Sequence, residues 1–129
     1  MNSVIIETFQ KIFEAIPLKE PRYGPIFRGW IENSSFGYKI YLRITNRHIN
    51  GKQVKSIDIA NVEVEESKQN QGVFSSILFA CEEESKRRKC FVFIESILNP
   101  IFMLSLKKKG YAPVENLENC LYKDFINVS

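Results

Sequence analysis

One dipeptide constrains the fold more than any other feature of the sequence: Asn50-Gly51, which lies between two stretches rich in apolar residues. An Asn-Gly pair favours a two-residue hairpin turn because both residues tolerate positive φ. Before it, apolar side chains stand at positions 38, 40, 42 and 44, with more polar ones between them. After it, residues 54–64 are rich in valine and isoleucine, which favour strands. The sequence therefore predicts an antiparallel hairpin with one buried face.

The second strand of this hairpin changes its alternation part-way along. Ile57 and Ile59 share one parity, whereas Val62 and Val64 share the other. Because successive side chains of a strand point to opposite faces, one extra residue at position 60 or 61 would bring both pairs to the buried face. We therefore predict a β-bulge at that point.

Three other stretches have the apolar spacing of helices. They cover residues 5–16, 73–89 and 99–110, and the third opens with an Asn-Pro pair that suits a helix start. Shorter strands are predicted at residues 26–31, 90–96, 111–114 and 120–125. This order predicts one α/β domain over residues 1–129, with a mixed, mostly antiparallel central sheet and flanking helices. The strands on either side of the second helix should run parallel, because a helical crossover normally returns the chain in the same direction.

Composition and charge limit the classes of protein to which this chain can belong. No run of about 18 apolar residues could span a bilayer, and the N-terminal stretch lacks the basic region of a secretory signal. The three cysteines are widely spaced, without the Cys-x-x-Cys pairing of a metal or redox site. The sequence therefore predicts a cytoplasmic protein with no membrane contact and no metal. A net charge of +3 is too small to indicate nucleic-acid binding by itself.

A glycine-containing loop separates the hairpin from the second helix. Its sequence is ESKQNQGVF, at residues 66–74, and it holds the chain's one Gln-x-x-Gly, from Gln69 to Gly72. A loop between a strand and a helix can turn several backbone N–H groups toward one point, which suits an anion such as phosphate. The alternative is a plain strand-to-helix turn capped by the side chains of Ser67 and Asn70.

This loop resembles the first motif of the GNAT superfamily of acyl-CoA-dependent N-acetyltransferases. In that motif an aliphatic residue ends a strand, and Gln or Arg, two residues, Gly, one residue and then Gly or Ala follow. Val64, Gln69 and Gly72 stand at these positions, while Phe74 replaces the last Gly or Ala. A phenylalanine there is familiar among some members, many of them phage-encoded, so the chain also resembles a small phage-type member.

A second stretch carries the same resemblance. Members of the family have an Asn that opens a helix and a Gly-aromatic pair that closes it, and the chain has Asn99 and Gly110-Tyr111. The resemblance covers residues 56–125 and implies the GNAT fold. It also implies that the two parallel strands separate at their carboxyl ends to admit the pantetheine of a coenzyme.

The resemblance implies acetyl-CoA as cosubstrate. Its pyrophosphate would lie on the amides of residues 71–74, where a Cβ on Gly72 would collide with it, and Asn99 would orient the pantetheine. Three lysines at residues 107–109 could approach the 3′-phosphate. The residues implied to contact the coenzyme are Val62, Val64, Gln69, Asn70, Gln71, Gly72, Val73, Phe74, Asn99 and Phe102.

Acetyl transfer to an amine needs a general base that collects the proton of the amine. Three carboxylates are candidates. Glu95 ends the strand after the second helix, Asp58 lies where histone-type members of the family carry their base, and Glu63 lies further along the same strand as Asp58. The alternative for each is an ordinary solvated carboxylate on a strand.

The resemblance is incomplete at the usual general acid. Many members carry a Tyr seven residues after the helix-opening Asn, and here that position is Leu106, so Tyr111 or Tyr122 would have to replace it.

The implied function is transfer of acetyl to an amine on an unknown small molecule or protein. A nucleic-acid partner is not expected, and a homodimer is compatible with the resemblance. Leu106 and Phe74 favour an alternative, a catalytically weak or inactive protein of the same fold that binds or inhibits a host protein.

Overall fold

A central sheet with helices packed on one face makes up the computed structural model, which describes residues 1–126. The helices are α1 (Ser3–Glu14), α2 (Val73–Arg88) and α3 (Pro100–Lys108). The strands are β1 (Phe27–Asn33), β2 (Tyr38–Ile49), β3 (Lys52–Val64), β4 (Phe91–Ile94), β5 (Ala112–Val114) and β6 (Leu117–Asp124). A short 3₁₀ helix, Glu66–Lys68, follows β3. Among these residues, no helix is long and apolar enough to cross a bilayer.

The strands pair in the order β1-β2-β3-β4-β6-β5. Only β3 and β4 run parallel, and the four other pairings among residues 1–126 are antiparallel. The predicted hairpin is confirmed, because Ile49 pairs with Lys52 and the two residues between them both have positive φ, 49° at Asn50 and 84° at Gly51. The predicted mixed, mostly antiparallel sheet is therefore confirmed.

The predicted β-bulge in the second strand of the hairpin is also confirmed. Leu42 pairs with Ile59 and Tyr41 pairs with Asn61, so that Ala60 has no partner on β2. The extra residue restores the parity, and Val62 and Val64 then share a face with Ile57 and Ile59.

The two faces of the sheet differ in what covers them. All three helices contribute side chains to the main core on one face, with Phe9 of α1, Ile77 of α2 and Leu106 of α3 at most 1% exposed. On the other face, a smaller apolar cluster is built from strand residues and Ile126. The face that carries polar side chains of β2 and β3 is therefore free of helices within residues 1–126.

A buried arginine joins the end of α1 to the end of α2. The guanidinium of Arg88 donates hydrogen bonds to the backbone carbonyls of Phe13, Ile16 and Pro17 at 2.8 to 3.2 Å, and to the Glu84 carboxylate at 2.5 Å. Phe13 lies in the last turn of α1, and Ile16 and Pro17 follow its C-cap residue, Ala15. Arg88 therefore caps α1 and neutralises Glu84.

We expect Arg88→Ala to lower the free energy of unfolding by about 3–5 kcal/mol, because it leaves the buried Glu84 carboxylate and the carbonyls at and just after the end of α1 without this partner. Arg87→Ala is the matched control, since Arg87 also pairs with Glu84 but its side chain is 45% exposed. That variant should cost about 1 kcal/mol or less. Urea unfolding measures both, and equal losses would contradict the capping role.

Candidate functional site

The parallel strands β3 and β4 stay together for only four residue pairs, from Ser56 with Phe91 to Ile59 with Ile94. The Glu95 N–H then donates to the Ile59 carbonyl at 3.0 Å, and two residues later the Ile97 N–H donates to Asn119 on the other side. β3 continues to Val64 without β4 beside it. The predicted separation at the carboxyl ends is thus confirmed, and the bulge at residue 60 lies where it begins.

The loop after β3 folds back on its own backbone. The Gln69 side chain donates to the Val64 carbonyl at 3.0 Å, and the Gln71 side chain donates to the Ser67 carbonyl at 3.0 Å. Asn70 and Gly72 both have positive φ, 64° and 76°. The amide side chains therefore hold the loop in shape while its backbone turns into α2.

The N-terminus of α2 has no side-chain cap. Gly72 is its N-cap residue, and Ser76 is the first residue of the helix whose N–H bonds within it, to the Gly72 carbonyl at 3.0 Å. No side chain among residues 1–126 accepts from the N–H groups of residues 73–75. The alternative in which Ser67 and Asn70 cap this turn is therefore wrong. A helix end with free N–H groups carries a partial positive charge and suits an anion.

A side chain at Gly72 would not clash with the rest of the protein. A Cβ built on it would have Met1 Cα, at 3.8 Å, as its nearest neighbour. The glycine is thus needed for its left-handed backbone and not to avoid a clash within the protein. The free N–H groups at the start of α2 fit the phosphate cradle that the sequence predicts.

The second predicted motif opens α3. The Asn99 side-chain oxygen accepts from the N–H groups of Ile101 and Phe102, at 2.8 and 3.3 Å, and confirms Asn99 as the N-cap residue. The Phe102 ring lies edge-on to the Phe74 ring, with 4.8 Å between the centroids. Phe74 therefore joins the start of α2 to α3.

A cluster of four charged side chains lies on the helix-free face, where β3 and β4 separate. Asp58 is fully buried. It accepts from the Ser56 hydroxyl at 2.6 Å, from Arg43 Nε at 3.2 Å and from Arg47 Nη2 at 2.6 Å. Glu95 joins the cluster through Oε1, which accepts from Arg43 Nη2 and, at 2.7 Å, from Arg47 Nη2.

The two carboxylates of this cluster differ in what they offer a ligand. Both oxygens of Asp58 are hydrogen-bonded, whereas Oε2 of Glu95 has no partner among residues 1–126 and its side chain is 24% exposed. Arg47 also stacks on the Phe93 ring at 3.9 Å. Burial lowers the pKa of Arg47, but its hydrogen bond to Asp58 and the charges of both carboxylates raise it more, so the guanidinium stays charged.

Glu63 lies apart from this cluster. It is exposed, pairs across the hairpin with Lys39, and lines a groove of about 570 Å³ together with Glu32 and Glu65. No ion pair connects Glu63 to the rest of residues 1–126. Of the three predicted carboxylates, the structure thus brings together Glu95 and Asp58.

Neither Tyr111 nor Tyr122 replaces the missing general acid at the separation of β3 and β4. Leu106 is buried in the main core. The Tyr111 hydroxyl donates to the Glu82 carboxylate at 2.7 Å. Burial is the main cause that raises the pKa of Tyr111, and the charge of Glu82 raises this pKa further. The Tyr122 hydroxyl accepts from the Asn50 side chain at the hairpin turn. Both hydroxyls are therefore engaged elsewhere.

Two residues of the cluster were not among the sequence candidates. Arg43 and Arg47 stand at the polar positions of β2, on the same face, with Arg43 directly opposite Asp58. The alternation of β2 is enough to predict that both arginines share one face of the sheet. Their pairing with Asp58 depends in addition on the register of β2 against β3, which the turn and the bulge determine jointly.

The sequence matches no family model, and no curated protein matches it. Solved structures do match. One is a mutant AtaT toxin bound to the C-terminus of the antitoxin AtaR and acetyl-CoA, at TM-score 0.51 and 20% identity over 68% of this chain and 58% of that chain. A second is AtaT complexed with acetyl-methionyl-tRNAfMet, at TM-score 0.56 and 17% identity over 67% and 61%. A third is a KacTA–DNA complex, at TM-score 0.52 and 18% identity over 68% and 58%.

These toxins have the GNAT fold, and the chain therefore has that fold, as the resemblance of its motifs predicts. The chain spans 58 to 61% of the length of these structures.

Proposed function

We propose that the protein is an N-acetyltransferase that moves the acetyl group of acetyl-CoA to an amine. The observation that carries this proposal is an uncapped helix N-terminus, after Gly72, at the same edge of the sheet where two parallel strands separate. Acetyl-CoA bound to an AtaT toxin of the same fold supports it.

In the proposed binding mode, each part of acetyl-CoA meets a feature that suits it. The pyrophosphate accepts hydrogen bonds from the free N–H groups at residues 73–75, where the partial charge of the helix is positive. The pantetheine enters between β3 and β4, beside Val62 and Val64 and the Asn99 side chain. The lysines at residues 107–109 are exposed near the end of α3 and could meet the 3′-phosphate.

The proposed reaction forms one bond and breaks one. The nitrogen of the acceptor amine attacks the carbonyl carbon of the thioester, a C–N bond forms, and the C–S bond breaks with its electron pair on sulfur. Glu95 Oε2 collects the proton of the amine nitrogen, directly or through water, and the departing thiolate takes a proton from water. A thiol with a pKa of about 8.5 leaves readily as its anion, so Leu106 in the usual Tyr position does not prevent transfer.

An exposed aromatic pair favours an acceptor with flat rings. Trp30 is 50% exposed and lies edge-on to Tyr41, with 5.1 Å between the centroids. The Lys39 ammonium lies 4.6 Å from the Trp30 ring, and the Arg43 guanidinium lies 6.0 Å from the Tyr41 ring. Aromatic rings beside cations are typical of surfaces that stack nucleobases. We therefore add an amine carried on tRNA to the small-molecule and protein amines that the resemblance implies, since AtaT forms a complex with acetyl-methionyl-tRNAfMet.

The test is transfer of labelled acetyl from acetyl-CoA to a panel of amines: a polyamine, a lysine-containing peptide, a peptide with a free N-terminus and aminoacyl-tRNA. Label in any acceptor, above the non-enzymatic rate, is the expected result. Binding of acetyl-CoA without transfer to any of them would instead support the alternative, a protein that binds or inhibits a host protein.

A further inference from the structure

We infer that Asp58 is a positioning residue for Glu95 and acts through the guanidinium groups of Arg43 and Arg47. The inference rests on the proposed function, because it assigns to Glu95 the role of collecting the proton of the amine. It concerns Asp58, which by its place on β3 is itself a candidate for that role.

The Asp58 carboxylate is held by hydrogen bonds within the protein and is not free to bind a ligand. Its side chain is fully buried and accepts from Ser56, Arg43 and Arg47. A buried carboxylate that loses its partners costs several kcal/mol, so the two guanidinium groups stay with it. The oxygens of Asp58 are thus committed inside the protein and not available to an acceptor amine.

The same guanidinium groups hold Glu95. Arg43 donates from Nε to Asp58 and from Nη2 to Glu95, and Arg47 donates from Nη2 to both carboxylates. The fork of an arginine is planar and rigid, so two bonds from one guanidinium fix the relative position of two acceptors. The stack of Arg47 on Phe93, at 3.9 Å, holds the plane of that guanidinium.

The backbone of Glu95 is held at one point, by the hydrogen bond from its N–H to the Ile59 carbonyl at 3.0 Å, and this bond does not fix the side chain. Glu95 follows the last residue of β4, and Ser96 after it has a positive φ of 60°. Both arginines bond to Oε1 alone, and Oε2 has no partner among residues 1–126. Without Asp58, the arginines would lose the anchor that sets their position, and Glu95 would move with them.

The test measures kcat and KM separately in a transfer assay with Asp58→Asn. Asparagine has the shape of aspartate but cannot neutralise two guanidinium groups. We expect kcat to fall by about 10²-fold, as displacement of a catalytic group by about 1 Å does, while the KM for acetyl-CoA stays within about twofold. Ser56→Ala is the matched control, because it removes one bond to Asp58 and leaves both arginines in place, and it should keep kcat within about threefold.

A second variant covers the case in which Asp58→Asn does not fold. Arg47→Lys keeps the charge but loses the fork, and it should also lower kcat at unchanged KM. An unchanged kcat in folded Asp58→Asn or in Arg47→Lys would overturn the inference. So would a crystal structure of either variant in which Glu95 keeps its place, a result that needs no activity. Absence of transfer by the unmodified protein would count against the proposed function instead.

Discussion

Replacing Glu95 by glutamine is expected to lower turnover by about 10²–10⁴-fold, the range that loss of a general base typically costs. Oε2 of Glu95 is the carboxylate oxygen at the separation of β3 and β4 that has no partner among residues 1–126. Glutamine keeps the size of the side chain but cannot take up a proton. The affinity for acetyl-CoA should remain within about twofold, because the residues proposed to bind it lie on other elements.

Glu63→Gln separates the two remaining carboxylate candidates. Glu63 is exposed and lines the groove on the far side of β3's end, so its variant should keep the turnover of the unmodified protein. Steady-state rates with one acceptor and calorimetric affinities for acetyl-CoA decide the matter. Full activity of Glu95→Gln together with loss of activity in Glu63→Gln would show that Glu63, and not Glu95, is the general base.

A negative charge at position 72 should weaken acetyl-CoA binding more than any change of shape there. Gly72 has a φ of 76°, which only Asn and Asp among the other residues adopt with ease. Gly72→Asp and Gly72→Asn are therefore matched in shape and backbone strain, but aspartate places a carboxylate where the pyrophosphate would lie. Charge-assisted hydrogen bonds contribute about 1.5–3 kcal/mol. We therefore expect the Gly72→Asp variant to bind acetyl-CoA roughly 10- to 100-fold more weakly than the Gly72→Asn variant.

Two controls make this comparison decisive. Unfolding in urea should show that both variants are folded, and raising the salt concentration should narrow the difference between them, because it screens the repulsion. Equal affinities for acetyl-CoA in the two variants would place the pyrophosphate elsewhere.

Local patterns were enough to predict most of the sheet. Alternation, the Asn50-Gly51 turn and the change of parity after Ile59 together predict the hairpin and its bulge, because each depends on neighbours along the chain. The parallel pairing of β3 with β4 followed from the helix between them. These features needed no knowledge of distant contacts.

The ion cluster could not be predicted in the same way. Sequence placed Asp58 and Glu95 on candidate lists, but their shared partners are on β2, 11 to 52 residues away. Which arginine meets which carboxylate depends on the three-dimensional register of three strands and on side-chain rotamers. The same limit applies to Phe74, whose contact with Phe102 of α3 reflects packing between two helices.

The central claim is that the loop around Gly72 binds the pyrophosphate of acetyl-CoA, and calorimetric titration of the unmodified protein tests it most directly. We expect acetyl-CoA and CoA to bind one to one with similar affinity, and pantetheine, which lacks the pyrophosphate and the nucleotide, to bind at least about 10-fold more weakly. No binding of acetyl-CoA, or pantetheine binding as tightly as CoA, would contradict the claim.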